Sequence, residues 1–176
     1  MRSFQILGVA LFATLAVACS SKPQIRSDQD RSVDLRDYKT FAFFSPVATD
    51  RSRYTTLLSS HLKEATRAEL ARHNYAYSEI RPDLRINFYL KVVERRDLHS
   101  MPAGRTFRGY SRGTYVDVVD TRQGTLVIEM VDVRRNALVW QGIAEGQLDD
   151  KAINNPGPAI DAIVSQIFAT YPYSRS

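Results

Sequence analysis

The chain has 176 residues, 44% of them hydrophobic, a formal net charge of +5 and a single cysteine, Cys19. That length supports one domain with a sizeable core, and one thiol excludes an internal disulfide framework. The positive balance is compatible with an anionic partner but does not require one.

In chain order, the first element is a leader. Arg2 precedes an apolar block from Ile6 to Ala18, which ends in small residues before Cys19. A basic start, a short apolar core and a small-residue break form a secretory signal peptide over 1–18. The block is short of the roughly 20 apolar residues that span a bilayer; a retained N-terminal anchor is the alternative. Leu15-Ala16-Val17-Ala18-Cys19 resembles a bacterial lipobox, although Ala16 stands where that motif usually carries leucine. The resemblance implies cleavage before Cys19 and acylation of its sulfur. More than one acyl chain is needed for stable anchoring. Ser20 rather than aspartate follows the cysteine, and by analogy with the lipoprotein sorting code this leans toward the outer membrane, facing the periplasm.

Residues 20–34, SSKPQIRSDQDRSVD, are polar. With Cys19 they read as a lipidated, flexible linker over 19–34, whose root-mean-square reach is roughly 20 Å. A single domain is expected over 35–172, with 173–176 as a tail. Thr40–Phe44 predicts a first strand, and Ser45-Pro46 ends it. A helix is expected from about Arg53 to Arg72, with Tyr54, Leu57, Leu58, His61, Leu62, Ala65 and Ala68 on its apolar face and Asn74 as its stop.

Leu84, Ile86, Phe88, Leu90 and Val92 alternate with mostly polar residues, as in a strand of an antiparallel sheet with one wet face. Thr114–Val119, Thr125–Val133 and Ala137–Gln147 predict three more strands, joined by turns at Thr121–Gly124 and Arg134–Asn136. Ile160, Ile163, Val164, Ile167, Phe168 and Tyr171 form the stripe of a last helix, with Pro156 or Pro158 in its first turn and Pro172 after it. The expected fold is α+β: an antiparallel sheet of about five strands with two amphipathic helices on one face, in the order β-α-β-β-β-β-α.

The stretches Gly124–Asp132 (GTLVIEMVD), Ala137–Gly146 (ALVWQGIAEG) and Ile160-Asp-Ala-Ile with Tyr171-Pro172 resemble the bacterial lipoprotein family called domain of unknown function 4136. Tyr38–Phe43 and Pro82-Asp83-Leu84 are similar to its earlier blocks. The resemblance implies a membrane-attached, periplasm-facing α+β domain and supplies no catalytic or ligand residues. Trp140 reads as a core or rim aromatic. Gly142 and Gly146 read as a bulge or a close helix approach.

No G-x-S-x-G elbow, H-E-x-x-H pair or Gly-rich phosphate loop is present. His61, His73 and His99 match no metal-site spacing, so no metal, cofactor or catalytic set is expected. Asp149-Asp150 read as solvated loop charges rather than a cation site, and Glu129 as a paired edge charge rather than half of an acid/base pair. The segment from Arg95 to Tyr115 stands out: Arg95, Arg96, Arg105, Arg108 and Arg112 interleave with Phe107, Tyr110 and Tyr115. Arginines with aromatics suit anionic polymers through bidentate contacts and stacking. The leader removes nucleic acid from reach, which leaves envelope polyanions such as lipid phosphates; a basic loop serving solubility is the plain alternative.

These features favour a non-catalytic binding or structural module of the cell envelope, held to the membrane by its N-terminal lipid. An accessory subunit of an outer-membrane assembly or transport complex, docking a protein partner through a strand edge, is the alternative. An envelope hydrolase using carboxylates is the weakest reading.

Overall fold

The computed structural model describes residues 22–51, 54–102 and 114–172, with the backbone alone for 97–102 and 114–119. Its strands are β1 (Gln24–Gln29), β2 (Thr40–Phe43), β3 (Ala76–Tyr77), β4 (Leu84–Pro102), β5 (Thr114–Asp132) and β6 (Ala137–Gln147). Its helices are α1 (Leu57–Arg72), α2 (Asp150–Asn154) and α3 (Pro156–Phe168), besides a 3-10 turn at Leu35–Asp37. The strands form one sheet in the order β1-β6-β5-β4-β2-β3. The α+β class holds, but the sheet is mixed and six-stranded, against the five antiparallel strands expected. β2 runs parallel to both β4 and β3. The cause is α1: a helical crossover returns the chain to the end of the sheet where it left, so the next strand runs parallel.

One sheet face is buried. Phe41, Leu84, Ile86, Phe88, Ile128, Met130 and Trp140 join Leu62 and Leu70 of α1 and Val164, Ile167 and Phe168 of α3 in one core. The α3 stripe falls where its spacing predicts, and Tyr171 past the helix end is also buried. Its hydroxyl lies 2.6 Å from that of Tyr75, which donates to the Leu35 carbonyl at 2.8 Å. Trp140 is a core residue, 5.5 Å from the Phe168 ring and 5.3 Å from Tyr171.

α1 buries part of the face expected, Leu62 and Ala65 with Leu58 packed against the core, but the buried stripe is rotated toward Ser59, Thr66 and Leu70. Leu57 and Tyr54 are 82% and 62% exposed and Ala68 is exposed, whereas Ser59, Leu62, Ala65, Thr66, Glu69 and Leu70 are buried. Ser59 and Glu69 are tolerated because they are partnered, Glu69 by Arg72, whereas the Thr66 hydroxyl has no hydrogen-bond partner among the described residues. The Ser59 hydroxyl is 2.7 Å from that of Thr49 and 2.9 Å from that of Thr56, whose Oγ1 also caps the helix by accepting from the Ser59 amide. Asn74 ends the helix at φ 62°, the left-handed geometry typical of a helix stop.

Two further expectations give way. Thr121–Gly124 is not a turn: residues 114–132 form one strand, with Thr121, Arg122, Gln123 and Gly124 opposite Arg95, Glu94, Val93 and Val92. Gly124 lies under Leu148, and a Cβ there would stand 3.1 Å from the Leu148 side chain. Within the expected linker, Gln24–Gln29 is an ordered edge strand, antiparallel to β6 with Gln24 opposite Glu145. Backbone pairing holds it, helped by Ile25 packed against the core and by the Ser27 hydroxyl donating to the Thr170 carbonyl at 3.1 Å. The Arg134–Asn136 turn is where the sequence puts it, with Asn136 at φ 50°.

Candidate binding surface

The second sheet face carries no helix of the core. Its side chains come from the alternate positions: Arg85, Asn87, Tyr89 and Lys91 of β4, Thr125, Val127, Glu129 and Val131 of β5, and Gln141, Ile143 and Glu145 of β6. Most are half-buried by their neighbours, and Tyr89 is 48% exposed. Glu145 pairs with Arg26 of β1 at 3.7 Å. At one end the Ala48 amide donates to Asn87 Oδ1 at 2.9 Å, so the loop after β2 closes that margin.

β4 and β5 outrun the rest of the sheet. β6 stops at Gln147, opposite Gln123, and β2 reaches only Ile86 on β4. The two long strands continue as a ribbon paired out to Pro102 and Thr114. Nine residues of β4 beyond Val93 make it about 30 Å long at ~3.3 Å per residue. On the helix-side face its base is self-neutralised: Arg122 Nε meets Glu94 at 3.3 Å and Arg96 Nε meets Asp120 at 2.9 Å.

Arg95 and Arg96 are exposed on this ribbon, on opposite faces. Tyr115 is on β5 opposite Met101. Arg105, Phe107, Arg108, Tyr110 and Arg112 fall in 103–113, outside the described residues, as does Cys19. The structure thus brings Arg95, Arg96 and Tyr115 onto one ribbon, from whose paired ends the segment 103–113 continues. Sequence reasoning does not single out Lys91, which shares a face with Arg95; the unbroken alternation from Leu84 through Arg95 is the signal that places both there.

The remaining candidates have structural roles. The Asp149 carboxylate caps α2, accepting from the Ala152 amide at 2.7 Å. His61 packs against Gly157 at the start of α3, and the His73 ring lies 4.9 Å from that of Tyr171. Among the described residues no cluster of three or more His, Cys, Asp or Glu could hold a metal. Glu129 faces the open side between Asn87 and Gln141, with no ion pair among the described residues. Burial pushes its carboxyl up. Its charged form therefore costs the fold stability above that raised value and ceases to do so as pH falls through it. Glu129→Gln should be at least as stable as the wild type at pH 7, with the difference shrinking toward pH 4, as read from denaturant midpoints at the two pH values.

These elements define an α+β domain with a helix-covered sheet face, an open face and a projecting ribbon. The chain belongs to the family described as Domain of unknown function (DUF4136), whose model matches residues 25–173. No curated protein matches its sequence. Among solved structures it is similar to a PDZ domain protein from Parabacteroides distasonis, with a TM-score of 0.58, 15% identity and 88% of this chain covered. The chain spans 38% of that protein's length, and the likeness is one of fold. It is also similar to PelC from Paraburkholderia phytofirmans, crystallised as a dodecamer, with a TM-score of 0.44, 8% identity and coverage of 84% of this chain and 92% of that one.

Proposed function

We propose that the chain is a non-catalytic binding or structural module of the bacterial envelope, held by acyl chains on Cys19 and facing the periplasm from the outer membrane. The observation that carries this reading is the junction between leader and domain. The lipobox-like run ends at Cys19, and the ordered sheet begins at Gln24. The leader thus gives way to the folded body within a few residues, as suits a body meant to stay beside a lipid surface.

The test is intact mass and fractionation of the full-length chain expressed in a Gram-negative host. The wild type should lack residues 1–18, carry acyl mass on Cys19 and sediment with membranes; Cys19→Ser should lose the acyl mass and at least tenfold of the membrane-bound fraction, since acyl burial contributes about 0.8 kcal/mol per CH₂. A wild-type chain retaining its first eighteen residues without acyl mass overturns the proposal.

The outer edge of β4 favours a second reading. Beyond Ile86 that edge has no neighbouring strand among the described residues, so an extended segment of another protein could pair with it. An accessory subunit of an envelope assembly would use it. Crosslinking through residues placed along β4 should then capture one reproducible partner, and recovery of monomer alone would remove this reading.

A further inference from the structure

β1 begins at the end of the sheet from which the ribbon projects. Gln24 lies opposite Glu145, Gly146 opposite Gly124 and Gly124 opposite Val92. Pro23 is packed on Gly146, where a Cβ would stand 3.1 Å from the proline Cβ. β1 enters at this end, and the ribbon of β4 and β5 extends beyond it. The docking of β1 also shortens the tether: only residues 20–23 separate Cys19 from the strand. Fully extended, five residue steps reach at most about 18 Å. The ribbon is about 30 Å long at ~3.3 Å per residue. The tether thus keeps the end of the sheet that bears the ribbon base within about 18 Å of the surface that holds Cys19, so that a face of that base can lie on it.

The two faces of the ribbon's base differ in charge. On the helix-side face Glu94 is paired with Arg122 and Arg96 with Asp120. On the open face the sequence of side chains is Tyr89, Lys91, Val93, Arg95, and the residues opposite the two cations are Thr125 and Thr121. Lys91 and Arg95 are exposed and have no ion pair among the described residues, while Tyr89 is 48% and Val93 39% exposed. Farther out, the register sets Asp97 opposite Val119 and His99 opposite Asp117. Across residues 89–125 as a whole, seven Lys and Arg stand against four Asp and Glu. Cations without an ion pair among the described residues, alternating with an aromatic and a β-branched side chain, match an interface that is anionic at its surface and apolar beneath.

We infer that the open face of the ribbon base, through Tyr89, Lys91, Val93 and Arg95, docks on the anionic lipid surface to which the N-terminus is tethered. This rests on the envelope-lipoprotein reading for its orientation and adds to it a second, charge-dependent contact. The acyl chains hold the domain to the bilayer, and the ribbon fixes which side faces it. A domain fixed in that way presents its helices away from the lipid.

The test uses the full chain reconstituted into vesicles of phosphatidylcholine alone, or mixed with phosphatidylglycerol, carrying a nitroxide on the headgroup. The native Trp140 is 1% exposed, so a tryptophan placed at the surface reports contact. Val93→Trp should be quenched in anionic vesicles well beyond Asp161→Trp on α3, and beyond its own quenching in neutral vesicles. About 1 M salt, where the screening length is about 3 Å, should remove the excess. Lys91→Glu with Arg95→Glu in the Val93→Trp background should remove it too, each lost cation costing about fivefold in partition. Equal quenching at 93 and 161, or quenching indifferent to lipid charge, overturns the inference. Intact mass of the same sample separates the two proposals. An unacylated chain still quenched at 93 retains the docking face and sinks the anchor; an acylated chain without preferential quenching does the reverse.

Discussion

Gly142→Ala is expected to cost the domain about 3 kcal/mol, the upper end for overpacking a filled core, read as a lower denaturant midpoint with unchanged slope. A Cβ at this position would stand 2.2 Å from Ile167 Cγ2 and 2.5 Å from Trp140 Cη2. Ile167 is 0% and Trp140 1% exposed, so neither has free volume to move into. The absent side chain lets α3 lie on β6, with Ile167 over the backbone of the strand. A loss below about 0.5 kcal/mol, the scale of a surface substitution, would mean that the helix does not approach this closely. Gly142→Val should prevent folding, and the fall in helical circular dichroism would show it.

Asp132→Ala should cost about 3 kcal/mol, a magnitude set by orphaned buried donors. Asp132 is 1% exposed at the end of β5. Its carboxylate accepts from the Tyr38 hydroxyl at 2.8 Å and from the Arg134 and Arg135 amides at 2.7 and 3.0 Å. It thereby ties the β5–β6 turn to the chain entering β2. Burial alone raises a carboxyl, but the Arg135 amide, the Tyr38 hydroxyl and the Arg134 amide outweigh it and hold Asp132 below the ordinary value. The phenol of Tyr38, buried and beside that charge, is pushed up to about 12. A depressed carboxyl contributes its stability above the unfolded pKa of about 3.9 and loses it as pH falls through the folded value. Between pH 5 and pH 2 the wild type should therefore lose more stability than Asp132→Asn, which keeps one acceptor oxygen and has no proton to take up. Parallel pH profiles for the two would remove this account.

What the residues disclosed and what they concealed divide on physical grounds. The period-2 alternation of Leu84, Ile86 and Phe88 and the stripe of Ile160, Val164, Ile167 and Phe168 announce burial directly, because one side of each element is apolar and those residues are buried. The Asn136 turn is legible for the same reason, its left-handed φ of 50° being one that asparagine tolerates well. β1 is concealed because an edge strand is held by backbone pairing, and its side chains need not be apolar; only Ile25 reaches the core. Gly124 looks like a turn residue until Leu148 is seen lying over it. The face of α1 is only partly legible: Leu62 and Ala65 of the expected stripe are buried, but Ser59 and Thr66 are fully buried while Leu57 is exposed, and only the pairing of the Ser59 hydroxyl at the helix start accounts for its burial. Strand direction leaves no periodic mark, so parallel β2 could be inferred only from the length of the helical connection.

Of the candidate surface, the arginines and aromatics of residues 95–115 are conspicuous by composition. Their common support is not, because it depends on β4 and β5 pairing well past the point where β6 ends. The contrast between a face neutralised by ion pairs and one on which Lys91 and Arg95 have none among the described residues is also invisible until the register puts Glu94 beside Arg122 and Thr121 beside Arg95.

The pairing of Gln24 with Glu145 has a consequence for the order in which the molecule completes itself. Contacts so distant along the chain form late, since the intervening loop must be closed first. Until β6 has left the ribosome, the first strand has nothing to lie against, and the nascent chain carries an unclosed margin.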